Sequence, residues 1–375
     1  MTEQTRREFL QSTAGAAGLA AWLHSNAGAG AGAAANAPTP KLEQRNVVAG
    51  MKYNRLGRTH IAVSALSSGV AKAPVLAAAI ERGVNFVHTA FGYNNVPDVA
   101  EVAAKHRDKM FIGIKVGPVE DYLKALRVDY VDVLFMSRMG AQDARDSRGR
   151  IRENFERMKQ QGKVRFLGLT IHSDDLVGAT QAAVESDTWD IVMPQYQPQL
   201  RAQLDPILAK ARAKNIGVLA MKTMINVPER AIEQHQAILR TALASGHIDS
   251  VIRSLASFEV LSKYIEAATT PVRAEDASLL QAATAQMKGR RCGSCGRCAA
   301  CPQGVSVAEI LKCKDYYAGQ MGEVEFARAV YGELAESQRA SNCGDCGRCE
   351  AACSEGLMIR RLLRDAHALL GYSVA

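Results

Sequence analysis

Residues 130–171, YVDVLFMSRMGAQDARDSRGRIRENFERMKQQGKVRFLGLTI, decide the fold. Two apolar runs, Tyr130–Met136 and Val164–Ile171, each have the length of a buried strand. Between them, ENFERMKQQ (153–161) places apolar residues three and four apart, the spacing of a helix with one buried face. The stretch therefore reads strand, helix, strand. The same alternation runs from Met51 to about Ala268, with further strands expected near Ala62–Ser68, Asn85–Ala90, Met110–Val116, Ile191–Tyr196, Gly217–Met221 and Ser250–Leu255. DPILAKARAKN (205–215) has the helical spacing again. Glu233–Gly246 reads as one helix or as a loop plus a helix. Eight strands alternating with helices imply a (β/α)8 barrel. MKYNRLGRTHIAV (51–63), with a turn at Leu56-Gly57-Arg58, reads as a hairpin plugging the barrel's bottom.

Barrels of this class carry their chemistry at the C-terminal ends of the strands. The polar residues expected there are His88, Tyr93, Lys115, Ser137, Arg138, His172, Gln195 and Lys222. Composition adds bounds. The chain has 375 residues, 47% hydrophobic and 22% charged, which is ordinary for a globular protein with one large and one small domain. The net charge is +8, but no basic run is interleaved with aromatics, so no nucleic-acid partner is expected.

The small domain is announced by RRCGSCGRCAACPQG (290–304) and SNCGDCGRCEAACSEG (341–356). Cys292, Cys295, Cys298 and Cys301 form one run; Cys343, Cys346, Cys349 and Cys353 form the other. Three-residue steps let successive thiolates turn toward one centre, and the intervening glycines let the backbone wrap closely. Each run supplies four thiolates, the number a 4Fe–4S cluster requires. Two-cluster ferredoxins take each fourth ligand from the other run. That logic assigns Cys292, Cys295, Cys298 and Cys353 to one cluster and Cys343, Cys346, Cys349 and Cys301 to the other. Pro302 follows the first run as the ferredoxin pattern asks; Ser354, not proline, follows the second. Zinc would use two well-separated pairs, and four cysteines within ten residues cannot all pair locally as disulfides without strain. Cys313, alone in EILKCKDYY, reads as a buried thiol on a helix.

The N-terminus, QTRREFLQ (4–11), sets Arg6-Arg7 ahead of Phe9-Leu10 and resembles a twin-arginine export signal. An Ala- and Gly-rich apolar stretch to about Leu23 follows, too short to span a bilayer. AGAGAAANAPTP (29–40) reads as a cleavage region and linker. The route carries folded proteins, so clusters would be inserted before export. The expected location is the periplasm, with the export machinery as one partner and no stable membrane span.

MKYNRLGRTHIAVSAL (51–66), RGVNFVHTAFGY (82–93), VDYVDVLFM (128–136) and GKVRFLGLT (162–170) together resemble the aldo/keto reductase family, in the family's order and over the whole barrel. The cysteine-rich tail is similar to a branch of that family with a C-terminal ferredoxin-type module. The organisation implied is a signal and linker at 1–40, a barrel at 51–270 and a ferredoxin-type domain with two 4Fe–4S motifs at 285–370. The resemblance further implies an active-site tetrad of Asp, Tyr, Lys and His. Tyr93 and Lys115 stand at two of those positions; His88 replaces the aspartate and Ser137 the histidine. Thr170 and Gln195 match residues that hold the nicotinamide carboxamide, but Ile171 replaces an asparagine. Ser254, Ser262 and Tyr264 stand where the family grips the adenosine phosphate. NADP(H) is therefore not the donor expected here, and the exported compartment maintains no pool of it. The expected protein is an oxidoreductase in which Tyr93, Lys115 and His88 handle protons, and Ser137, Thr170, Gln195 and Lys222 help hold a cofactor or a small organic substrate. Its electrons would be exchanged with a redox partner protein through the clusters. The alternatives are a lapsed barrel serving as scaffold for an electron relay, and an NADPH-dependent carbonyl reductase.

Overall fold

The computed structural model describes residues 41–371 apart from 116, 138–147, 174, 226, 229, 288, 290, 321 and 323. The expected export signal and Arg138 lie outside the described residues. Strands β1 (Tyr53–Arg55) and β2 (Ala62–Ser64) form an antiparallel hairpin. Eight parallel strands then close a barrel: β3 (Leu66–Ala71), β4 (Phe86–Thr89), β5 (Phe111–Lys115), β6 (Val131–Ser137), β7 (Val164–Thr170), β8 (Ile191–Met193), β9 (Gly217–Ala220) and β10 (Ser250–Leu255). β10 pairs with β3 to complete the ring. The helices between them are α1 (Ala73–Glu81), α2 (Val96–His106), α3 (Val119–Leu126), α4 (Arg148–Gln160), α5 (Leu176–Ser186), α6 (Arg201–Ala213), α7 (Ile232–Ala244) and α8 (Phe258–Thr269). Glu233–Gly246 is thus resolved in favour of a single helix.

One boundary differs from expectation. The apolar run from Ala62 does not enter the barrel as one strand. Ala62–Ser64 belongs to the hairpin, and the barrel strand starts at Leu66. Asn85 explains the break. Its side-chain oxygen accepts from the Ser64 N–H at 2.8 Å, and its amide donates to the carbonyls of Arg45 and Ala62. These bonds tie the hairpin to the start of β4, and the chain must turn before it can join the sheet.

The hairpin fills the bottom of the barrel. Leu56, Ile61 and Val63 pack with Phe86, Phe111, Val133, Phe135, Ile191 and Leu219 in a core that is buried throughout. Each such side chain contributes roughly 1.5–3 kcal/mol on burial. Two glycines make this packing fit. Gly57 holds φ at +49°, and a Cβ there would meet the Gly217 nitrogen at 2.2 Å, so the turn lies directly on the start of β9. A Cβ on Gly168 would meet the Phe135 ring at 2.4 Å, so β7 yields its side-chain space to that ring. A second core lies between sheet and helices.

Beyond α9 (Asp276–Met287) the tail forms short helices α10 (Val307–Lys312), α11 (Val324–Gly332), α12 (Arg348–Ala352) and α13 (Ile359–Leu370), with a π-helical segment, Cys313–Gln320, after α10. Ile359, Leu363, Ala366 and Leu370 recur on one face of α13 and are buried with Val305, Ile310, Leu311 and Tyr331. Cys313 is fully buried in this third core and begins the π-helical segment. Among the described residues no helix is long and apolar enough to cross a membrane.

Asp249, just before β10, gives the fold a pH dependence. Burial pushes its carboxyl up to about 7, against the N–H of Val218 at 2.8 Å and Arg212 at 3.6 Å. A carboxyl that is harder to ionise when folded stabilises the protein below its unfolded pKa, and that contribution is lost as pH rises through the folded value. Denaturant midpoints of the wild type should therefore fall between about pH 4 and pH 7. Asp249→Asn, which keeps the acceptor, should lack that component; an identical slope in both proteins would refute the assignment.

Candidate functional site

The strand ends assemble the expected residues at one mouth. His88, in β4, is 4% exposed, and its ring packs edge-on to Phe135 at 5.3 Å and to Tyr93 at 5.9 Å. Its Nε2 is buried with no partner among the described residues. Burial, then the charge of Lys115, pushes the imidazole down to about 3. His88 is therefore neutral near pH 7 and provides no counter-charge for Lys115. Tyr93 lies in the short turn Phe91–Tyr93, fixed from below by Phe91 stacking on Tyr122 at 4.0 Å. The Lys115 ammonium sits 5.0 Å from the centre of the Tyr93 ring, over its face, rather than on its hydroxyl.

The neighbouring strand ends are less committed to a ligand. Ser137 and Thr170 lie opposite each other at the ends of β6 and β7, but the Thr170 hydroxyl already donates to the Met136 carbonyl at 3.1 Å. Gln195 bridges to Met221, which brings it beside Lys222. Its oxygen accepts from the Gln197 amide at 3.3 Å, and its own Nε2 is buried and unpartnered. His172 is buried at the same end. Where the resemblance places the grip on an adenosine phosphate, Tyr264 is 2% exposed. Its hydroxyl shares a hydrogen bond with His235 Nδ1 at 3.0 Å and accepts from Arg253 at 3.2 Å. Tyr264 and Arg253 are thus engaged with each other.

Lys222 is the most constrained of the set. It adopts φ +50°, a left-handed conformation uncommon for a residue with a side chain. Its ammonium donates to the hydroxyl of Tyr317 at 2.8 Å and lies near the faces of Tyr316 and Tyr317, at 5.1 and 4.7 Å. Those tyrosines belong to the π-helical segment of the tail. Phe326, from α11, meets Tyr317 at 5.0 Å and Tyr93 at 6.1 Å. A Cβ on Gly92 would come within 2.8 Å of the Phe326 ring, so that glycine admits it. A backbone bridge joins Asp175 to Cys295. The tail is thus seated on the barrel mouth. Sequence reading missed Tyr316, Tyr317 and Phe326. The one available signal was a tyrosine pair beside Cys313, and it resembles any buried aromatic step on a helix.

The tail cysteines fall into two groups. Cys301, Cys343, Cys346 and Cys349 line one cavity of about 300 Å³, together with Cys298, Arg297, Arg348 and Arg360. Cys346 is exposed there. The Cys292 thiol is pushed up to about 12 by burial, opposed by the Ser294 N–H and reinforced by its neighbours Cys295 and Cys353. The cavity thus draws thiols from both runs, including Cys298, which the crossed assignment would give to the other cluster. No disulfide links the nine cysteines. Among the described residues no three His, Cys, Asp or Glu side chains converge as ligands of one ion. A 4Fe–4S cluster asks for something different, four thiolates standing around a cuboid with one on each iron. A cavity walled by soft sulfur donors fits that group.

Comparison with known proteins bears on the barrel alone. Residues 67–226 match the aldo/keto reductase family model. The apo structure of an aldo-keto reductase from Bacillus halodurans aligns with a TM-score of 0.50 at 20% identity, covering 62% of this chain and 96% of that one. Its holo form gives 0.50 at 19%, with the same coverage. An aldo-keto reductase from Klebsiella pneumoniae in complex with NADPH aligns at 0.49 and 18%, covering 62% and 94%. The structural likenesses show the (β/α)8 fold, and the aldo/keto reductase family model is matched over residues 67–226. No curated protein sequence matches the chain.

The state of His88 can be measured. Its ring resonances should not titrate between about pH 5 and pH 8. Because its folded value is depressed, its contribution to stability is full above about 6.5 and is lost as pH falls below that. A titration midpoint near 6.5 would show that burial does not govern this side chain.

Proposed function

We propose that the protein is an exported iron–sulfur oxidoreductase. Its barrel mouth takes a small carbonyl- or alcohol-type molecule, and two 4Fe–4S clusters in the tail pass single electrons between that mouth and a partner protein. The observation that carries this reading is the seating of the thiol-bearing tail on the strand ends. It puts a candidate electron store beside the candidate site, with Tyr316 and Cys292 lining one small cavity against Ile225 of the barrel. Cys292, Cys295, Cys298 and Cys353 would hold one cluster, and Cys301, Cys343, Cys346 and Cys349 the other. When bound, the clusters supply one-electron storage and transfer. The chain's own residues then bind the substrate, exclude water with the aromatic roof and supply protons.

Support for a donor other than NADP(H) comes from the chain itself. Thr170 is committed to a backbone carbonyl, and Arg253 is engaged by Tyr264. The family match and the unpartnered Gln195 amide keep an NADPH-dependent carbonyl reductase as the competing reading. A lapsed barrel that only scaffolds the clusters is favoured by one observation, the packing of Phe326 onto Tyr93 and Gly92. The twin-arginine pair, Arg6-Arg7, supports a periplasmic location and an export-machinery partner.

Anaerobically purified protein should hold about eight iron atoms and show broad visible absorbance. Cys301→Ser and Cys353→Ser should each remove about half of the iron, from different clusters, if the ligand sets cross. About one zinc with no absorbance would refute the cluster assignment. Titration with NADPH, followed by its fluorescence, should show no saturable binding below about 1 mM; micromolar binding would establish the reductase reading instead.

A further inference from the structure

The mouth holds two lysine–tyrosine couples, and only one is joined by a hydrogen bond. Lys115 stands over the Tyr93 ring, whereas Lys222 bonds the Tyr317 hydroxyl directly at 2.8 Å. Tyr93 cannot lean on the replaced tetrad. His88 is neutral there, and Ser137 is no acid near neutral pH. Tyr317 is 6% exposed and lies against Phe326, which touches Tyr93, so its phenol borders the same mouth. Three buried polar atoms on that rim lack a partner among the described residues: His88 Nε2, Gln195 Nε2 and Thr223 Oγ1. Their residues are 4%, 0% and 0% exposed. Buried polar groups are seldom left unsatisfied, so these atoms mark a place for a polar ligand. The left-handed backbone at Lys222 is a further constraint of the kind found at working sites.

We infer that Tyr317, contributed by the tail and positioned by Lys222, is the acid that protonates the substrate oxygen, in place of Tyr93. This rests on the oxidoreductase reading above and deepens it by naming the proton donor. Reduction of a carbonyl breaks the C=O π bond and consumes two electrons and two protons. The two electrons come singly from a low-potential one-electron donor, a reduced viologen in the assay below. Tyr317 delivers the proton that ends on oxygen, and solvent supplies the proton that ends on carbon. The phenolate left on Tyr317 recovers its proton from solvent by way of Lys222. Burial holds Tyr317 well above the ordinary phenol range and Lys222 well below the ordinary ammonium range. Before substrate arrives the Lys222 nitrogen donates to the phenol oxygen, which leaves the phenol's own proton free to be given to a substrate. The tail then completes the barrel's site, and a barrel without it lacks its acid.

The first measurement needs no turnover. Isotope-labelled benzaldehyde is added to the full-length holoprotein and its carbonyl stretch is followed by infrared difference spectroscopy. The expected result is a band moved to lower frequency by a hydrogen-bond donor, lost in Tyr317→Phe and kept in Tyr93→Phe. A band that Tyr317→Phe leaves unmoved overturns the proposal, as does the absence of any bound-aldehyde band at saturation. The second measurement is aldehyde reduction driven by reduced viologen. Tyr317→Phe should lower kcat about 100-fold with KM little changed, and Lys222→Met should displace the alkaline limb of the pH profile. Loss of turnover in Tyr93→Phe with Tyr317→Phe intact overturns the proposal. A wild type that shows the shifted infrared band but no turnover sinks the oxidoreductase reading while leaving the hydrogen-bond donor in place.

Discussion

The hydrogen bond from Lys222 to Tyr317 joins the two halves of this molecule where chemistry is expected. Both partners are largely withdrawn from water, and an unmatched polar group in such a place costs roughly 1–3 kcal/mol. The bond therefore fixes the tail to the mouth in one register. Around it, Phe326 enters the space left by Gly92, and Tyr316 covers the other side of the Lys222 ammonium. The π-helical turn is what allows neighbouring residues 316 and 317 both to face one lysine. A wider turn changes the angular step between successive side chains, and such segments concentrate at functional positions.

This seating bears on His88 and Ser137, the two positions where the family resemblance would place an aspartate and a histidine. In a barrel open to solvent, such replacements would simply remove an acid and a counter-charge. Here the mouth is partly covered by the rings of Tyr316, Tyr317 and Phe326. A charged aspartate at position 88 would sit against Phe135 in a buried site. A neutral imidazole suits that environment better, because burial penalises the charged form. The replacement and the roof are thus physically consistent.

How much of this was readable from the chain follows from the range of the interactions. The eight strands were legible because each is a short apolar run, and seven of their boundaries fell within a few residues. The first failed because Asn85 cuts a continuous apolar run by a bond across twenty-one positions, and no local pattern encodes that. His88, Tyr93, Lys115, Gln195 and Lys222 were legible because strand ends in such a barrel converge whatever the side chains. The roof was not. Tyr317 and Phe326 are separated from their partners Lys222 and Tyr93 by long stretches of chain, and an aromatic residue on a short helix has the same pattern whether it faces its own core or a neighbour's.

Electron flow between the tail and the mouth is then a question of layout. The two thiol groups differ in position. The one around Cys292 adjoins Tyr316 and the barrel, while the cavity with Cys301, Cys343, Cys346 and Cys349 opens at an exposed cysteine ringed by Arg297, Arg348 and Arg360. Charge beside a thiolate-bound cluster raises its potential when positive, and exposure to solvent tunes it as well. Under the proposed function, the outer group would be the point of exchange with a partner, and the inner one would adjoin the substrate. On the proposed cluster-fed reading, the barrel would need no dinucleotide of its own. Its catalytic demand reduces to holding a small molecule against the aromatic roof and supplying protons at the pace the electrons arrive. Lys222 and Tyr317 are placed to meet it.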